Sequence, residues 1–136
     1  GAALRRSVST AYYAVFSRLA ALCAGRMARS APTSDSFRLV YRALDHGHAR
    51  TALKSHPEFA APLGETFGRL QEARHWADYS PEPHPQPALA AEGTRFTRAE
   101  AREFIALARA SMQYVDALPP DAKQRLAVTL VARSRR

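Results

Sequence analysis

The sequence predicts an all-α protein, a bundle of about five helices that forms one domain over residues 1–136. Apolar residues recur at steps of three and four over most of the chain, as they do on the buried face of a helix. We find neither a useful length of alternating apolar and polar residues nor a hairpin dipeptide, so no strand is predicted. With 136 residues and 46% apolar content, the chain is long enough to enclose one hydrophobic core.

The first half of the chain is divided by residues that begin and end helices. A first helix is predicted to run to about Met27, and Pro32 prevents it from continuing because proline has no amide hydrogen to donate. Thr33 or Ser34 is expected to cap a second helix, and Gly47 to close it as the residue after its C-terminus. A short turn of helix is predicted around residues 49–53.

The second half shows equally clear boundaries. Residues 57–79 read as a long helix whose start could be as late as Pro62, and four prolines between residues 80 and 87 open an exposed connector over 80–96. Thr97 and Glu100 have the spacing of a capping box, which predicts a further helix. Residues 119–136 are expected to hold a last helix, from Asp121 to about Ala132, and a basic tail.

Charge and cysteine content limit the class of protein. The net charge is +8 and all but two of the 20 basic residues are arginines, which favours partners that carry phosphate. An arginine-rich surface without any ligand is the alternative interpretation. Cys23 is the single cysteine and lies in an apolar helical context, so we expect a buried core residue in a cytoplasmic protein. No apolar run has the length of a membrane span.

Two blocks hold the residues that could carry chemistry. In the first, Ala11 and Ala14 would let a neighbouring helix approach closely, while Tyr12 and Phe16 lie four apart and can share a buried face. Tyr13 lies about 100° round the helix and can present its hydroxyl. The simpler interpretation of Tyr12 and Phe16 is that both rings belong to the core.

The second block is Arg74-His75-Trp76-Ala77-Asp78-Tyr79. Arg74 and Asp78 are four apart and share a helix face. They could form an ordinary surface ion pair, or Asp78 could hold the guanidinium of Arg74 towards a phosphate. Trp76 is expected in the core or in a dimer interface rather than as a platform for a nucleic-acid base.

These two blocks resemble the signature helices of the HEPN family, the "RAYYAxFH" helix and the "RxxADY" helix end. The resemblance implies an up-and-down helical bundle, a homodimer through the first and third helices, and a toxin–antitoxin or defence role that involves RNA or a nucleotide. Many members are metal-independent ribonucleases in which a histidine follows an arginine by four to six residues. Here Arg74, Asp78, Tyr79 and His75 are the residues that the resemblance marks as candidate catalytic residues, although no histidine follows Arg74 at that spacing.

A second candidate site is the group Arg42, His46 and His48. It brings a guanidinium and two imidazoles to one predicted helix end, and five residues separate Arg42 from His48. The alternative is structural, because histidine near a helix C-terminus is favoured when it is charged.

Three functions remain open from the sequence. The first is a ribonuclease of the kind just described, and the second is a non-catalytic interaction or nucleotide-sensing module paired with a nucleotidyltransferase-type antitoxin. The third is a structural domain with an arginine-rich surface. No cofactor is expected, and no set of His, Asp or Glu residues shows metal-ligand spacing.

Overall fold

The structure is a computed structural model that describes residues 2–28, 34–79 and 97–132. These residues form six α-helices and one π-helical turn, and no strand occurs among them, which confirms the predicted all-α bundle. The helices are α1 (Ala2–Ala28), α2 (Asp35–Ala43), α3 (His46–Ser55), α4 (Glu65–Tyr79), α5 (Arg98–Ala117) and α6 (Pro120–Val131), and the π turn is Ala60–Gly64. The predicted break at Pro32, the 80–96 connector and the tail after residue 132 lie outside the described residues.

Helix α1 is the centre of the bundle and packs against α2, α4, α5 and α6. Its fully buried residues follow one another at helical spacing and form the middle of the core. They include Tyr12, Val15, Leu19 and Cys23. Cys23 is therefore the core residue that the sequence predicts, and burial raises the pKa of its thiol to about 12.

Start signals are found at three of the helices, and those at Ser34 and Thr97 are predicted from the sequence. Ser34 accepts a hydrogen bond from the Phe37 amide at the start of α2. Thr97 and Glu100 form the predicted capping box at the start of α5. Pro120 occupies the first turn of α6, where its missing amide hydrogen costs nothing.

The predicted role of Gly47 is wrong. Helix α2 already ends at Ala43, and Asp45 is the N-cap of α3, where its carboxylate accepts a hydrogen bond of 2.8 Å from the His48 amide. Aspartate in an extended backbone conformation is a strong N-cap, so a new helix begins before glycine could close the old one. Gly47 thus lies in the first turn of α3, and His46 lies at a helix N-terminus rather than at the predicted C-terminus.

The long helix predicted over residues 57–79 begins with a different geometry. Residues 57–59 form a turn, the π turn follows, and regular α-helix starts only at Glu65. Gly64 packs against the end of α3 so closely that a Cβ atom there would lie 3.0 Å from the backbone of Leu53 and Lys54. The absence of a side chain at Gly64 therefore permits this contact.

A smaller apolar cluster joins the start of α1 to α4 and α5. Val8, Ala73, Trp76, Ala77 and Ala101 form it. Trp76 is 6% exposed, so its ring lies in the core, one of the two places that the sequence predicts. In the part of the chain that the structure describes, no helix is both long enough and apolar enough to cross a membrane.

Candidate functional site

Arg74 lies where α4 crosses α1, against the two tyrosines of the first sequence block. Its guanidinium carbon is 5.3 Å from the centre of the Tyr12 ring and 5.4 Å from the centre of the Tyr13 ring. The two rings meet edge to face, with centroids 5.4 Å apart and an interplanar angle of 70°. Cation–π attraction to both rings stabilises the guanidinium at this position.

His46 joins the same cluster from the start of α3. Its ring stacks on the ring of Phe16, with centroids 3.6 Å apart and an interplanar angle of 13°. Its Nδ1 atom shares a short hydrogen bond with the Tyr12 hydroxyl. The Nε2 amide of Gln71, on α4, donates a hydrogen bond of 3.3 Å to the His46 carbonyl oxygen. The imidazole is thus held by contacts from α1, and the backbone that carries it is held from α4.

Burial keeps the Tyr12 hydroxyl protonated. Burial raises the pKa of Tyr12 to about 12, and this effect exceeds the opposing effects of the Arg74 charge and of the side-chain donors on Gln71 and Arg74. The hydroxyl therefore keeps its hydrogen at neutral pH, and it can either donate to Nδ1 of His46 or accept from it. When the hydroxyl donates, the hydrogen of a neutral imidazole lies on Nε2.

His46 is neutral at neutral pH. Burial and the charge of Arg74 lower the pKa of His46, and the carboxylate of Asp45 partly offsets them. The position of His46 at the start of α3 disfavours a cation further, because a helix N-terminus carries partial positive charge. Together Arg74 and His46 place hydrogen-bond donors beside Tyr13, which is 42% exposed. Such an arrangement suits an anion.

Of the four candidate catalytic residues, the structure describes the side chains of Arg74 and His75. Arg74 is in the cluster, while His75 is exposed and lies about 100° round α4 from it. Asp78 and Tyr79 belong to the last turn of α4, but their side chains lie outside what the structure describes. Their predicted roles, including the Arg74–Asp78 pair, stay predictions.

The three residues of the second candidate site, Arg42, His46 and His48, do not form one site in the structure. His46 joins Arg74, whereas the Nε2–H of His48 donates to the carbonyl oxygen of Ala132, the residue directly after α6. The structural alternative is wrong in placing His48 at a helix C-terminus, because His48 lies in the first turn of α3, and the carbonyl that it binds belongs to the end of another helix. Arg42 lies at the exposed end of α2 beside another hollow.

Sequence spacing could not reveal the pairing of Arg74 with His46, because 28 positions and two helix boundaries separate them. Sequence reasoning also missed Gln71, although it lies three residues before Arg74 and therefore on a neighbouring part of the same helix face. That spacing is the signal from which its role could have been found. For Phe16 the sequence predicts only a core ring.

A groove of about 410 Å³ lies on the other side of α1, between α1 and α5. Its walls are mainly apolar, from Ala14, Ala108 and Met112 among others, and Arg6 and Arg109 also line it. Within the described ranges, no three His, Cys, Asp or Glu side chains gather as metal ligands do.

Comparison of the chain with protein-family models, with curated proteins and with solved structures gave no match in any of the three. The resemblance to the HEPN family therefore stays a prediction. What can be inferred about function comes from the geometry of the Arg74 cluster and from the charge of the chain.

Proposed function

We propose that this domain binds a phosphate group of RNA or of a nucleotide at the Arg74 cluster, which we define as Tyr12, Tyr13, His46, Gln71 and Arg74. The observation that carries the proposal is the guanidinium of Arg74 held against two tyrosine rings beside a neutral His46. A planar guanidinium donates two parallel hydrogen bonds to phosphate oxygens, and the Nε2–H of His46 supplies a further donor.

Two further features support a phosphate ligand. The chain carries a net charge of +8, which attracts anions before contact is made. Tyr13 is exposed beside the guanidinium and offers both a hydroxyl and a ring face, so a nucleotide base or sugar could lie against it. The HEPN resemblance of α1 and α4 implies the same class of ligand.

The state of His46 favours binding over cleavage. A general base needs a free lone pair, and His46 has none in the tautomer in which Nδ1 accepts the Tyr12 hydrogen and Nε2 carries the ring hydrogen. The non-catalytic alternative, a module that acts with a nucleotidyltransferase-type antitoxin, needs only the donors. Metal-independent RNA cleavage is the second candidate. It is favoured by the proximity of an arginine and a histidine, and it requires His46 to change its tautomer or its charge.

A binding measurement tests the proposal. We expect Arg74→Ala to weaken the binding of fluorescent RNA or nucleotide, measured by anisotropy, by about tenfold or more, because a charge-assisted hydrogen bond contributes roughly 1.5–3 kcal/mol. Arg69→Ala is the matched control. It removes the same charge from the same helix, but Arg69 faces Glu103 of α5 in an exposed ion pair of 3.0 Å. Equal affinities of the two variants, with both folded, would refute the site.

The same proteins separate binding from cleavage. Intact RNA after incubation with the wild type in the presence of EDTA, together with measurable binding, supports the non-catalytic module. Cleavage that persists in EDTA and is abolished in both Arg74→Ala and His46→Gln would support the ribonuclease instead.

A further inference from the structure

Helix α2 carries two half-buried aromatic rings beside two exposed arginines. None of its residues is buried, although it packs on α1. The rings of Phe37 and Tyr41 stack with centroids 6.2 Å apart and an interplanar angle of 24°. These rings line a hollow of about 300 Å³ together with Arg38 and Arg42. One helix face thus combines an aromatic pair with an arginine pair.

The spacing explains why the four side chains converge. Phe37 and Tyr41 are four residues apart, as are Arg38 and Arg42, so each pair follows the helix axis and the two pairs lie side by side. The i, i+4 spacing within α2 sets this arrangement, and packing of α2 on α1 supports it.

The arginines of α2 differ from several others in the chain. Arg18, Arg69 and Arg125 each bind a carboxylate of another element. Within the described residues, Arg38 and Arg42 have no such carboxylate, and both are exposed. Two adjacent guanidinium groups without local neutralisation form a site of positive potential, which favours a polyanion.

We infer that this face of α2, defined by Phe37, Arg38, Tyr41 and Arg42, binds single-stranded nucleic acid. Aromatic rings bind unpaired bases by stacking, and neighbouring arginines bind the phosphates between them. A duplex would satisfy the arginines but hides its bases from the rings. The inference rests on the proposed function only for the class of ligand, because the α2 face is a separate surface from the Arg74 cluster.

The α2 face lies close to the Arg74 cluster along the chain. His46 follows Arg42 by four residues, and a chain of that length spans at most about 14 Å. If one strand contacts both surfaces, the α2 face adds affinity for a polymer that a mononucleotide cannot use.

The ring pair and the arginine pair are tested separately with labelled oligouridine as the single strand. We expect Phe37→Leu with Tyr41→Leu to weaken binding of oligouridine by about tenfold, since stacking supplies roughly 1–3 kcal/mol per base, and to leave binding of duplex RNA of equal length unchanged. Leucine preserves apolar packing against α1. Phe37→Leu alone serves if the double variant does not fold, because Tyr41 packs against the core.

The arginine pair is measured through salt dependence. We expect Arg38→Ala with Arg42→Ala to reduce the slope of log affinity against log salt by about 0.7 for each phosphate that the variant no longer binds. Arg98→Ala with Arg102→Ala is the matched control. These two arginines are also exposed and four residues apart, but the three side chains between them carry no aromatic ring.

The outcomes separate this inference from the proposed function. If Arg74→Ala weakens binding while the α2 variants behave like the control pair, the α2 inference is overturned and the proposed function stands. The reverse result refutes the Arg74 site and leaves the α2 face. Polyglutamate could also compete with labelled oligouridine as strongly as unlabelled oligouridine does. If the ring substitutions then have no effect, the ligand is an acidic peptide and the inference is overturned.

Discussion

At the scale of single residues, the hydroxyl of Tyr12 connects two helices that meet on α1. The ring of Tyr12 is fully buried and packs against Phe67, whose centroid is 5.4 Å away. Its hydroxyl reaches His46 at the start of α3, and its ring face receives Arg74 from α4. Tyr12 is therefore a core residue, as the sequence predicts, and also the residue that shares a hydrogen bond with His46.

The lowered pKa of His46 makes the stability of the folded protein depend on pH in one direction. Its pKa in the folded protein lies below the ordinary value of 6.5, so the unfolded chain takes up the proton at a higher pH than the folded protein does. The free energy of unfolding therefore falls as the pH drops below about 6.5. We expect urea unfolding to show a smaller loss of stability between about pH 7.5 and 5.5 for His46→Gln than for the wild type.

The exposed His75 supplies the control for this measurement. His75→Gln removes an imidazole from α4 without removing the one that contacts Tyr12 and Phe16. A difference between wild type and His46→Gln that stays constant over this pH range would show that the folded structure does not lower the pKa of His46.

At the scale of elements, short-range signals define most helix boundaries. The caps at Ser34 and Thr97 begin α2 and α5 where the sequence predicts. Helix α6 begins at Pro120, one residue before its predicted start at Asp121. The exceptions occur around α3, where Asp45 begins a helix earlier than Gly47 could end one. The π turn before α4 is the other exception, and it depends on a contact with α3.

Two glycines with opposite surroundings test that contact. A Cβ atom at Gly64 would meet backbone atoms of α3, which cannot move away as a side chain can. At Gly25, an exposed position of α1, a Cβ atom would meet nothing within 4 Å. We expect Gly64→Ala to lower the free energy of unfolding by about 1–3 kcal/mol and Gly25→Ala to raise it by up to about 1 kcal/mol.

Denaturant unfolding of the two variants measures both effects against the wild type. An unchanged or increased stability of Gly64→Ala would mean that the π turn does not pack on α3 as described. Gly25→Ala is the control, because alanine has a higher helix propensity than glycine and its Cβ meets no neighbouring atom there.

At the scale of the whole molecule, some arginines bridge elements and others lie beside aromatic rings. Arg125 is of the first kind, since its guanidinium makes two hydrogen bonds of 2.8 Å to Glu58. Exposed pairs of this kind contribute little to stability. Arg74 and the two arginines of α2 are of the second kind. If the two proposed sites are correct, arginines of the second kind serve ligand binding rather than folding.

The predicted homodimer is tested at the same scale. If α1 contributes to the interface, the mainly apolar groove between α1 and α5 is the surface that would face the partner subunit. Thr10 is exposed and lies among the residues that line this groove. We expect light scattering to give twice the 15.0 kDa mass of one chain for the wild type. Thr10→Arg is expected to shift the protein to the monomer, because an isologous interface would bring two added charges together.

A wild-type mass of 15.0 kDa over the concentration range used would contradict the dimer. A Thr10→Arg variant that remains dimeric would instead place the interface elsewhere on the surface. Because Thr10 is exposed, its substitution leaves the core of α1 unchanged.

The residue pattern by itself determined that this protein is all-α, where most helices begin and end, and that Tyr12 and Cys23 belong to the core. Periodicity, caps and prolines act over a few residues, so they can be read without the fold. It also identified Arg74 and Tyr13 as chemically interesting, because they belong to two blocks with a recognisable composition.

Only the tertiary structure decided which side chains meet. Arg74 and His46 come from different helices, 28 positions apart, and α1 brings them together because Tyr12 is buried between them. The same packing separated His48 from His46, although they are only two positions apart in the chain, because positions two apart on a helix face different directions. Short-range patterns therefore specified the elements of this protein, whereas burial of α1 assembled its candidate site.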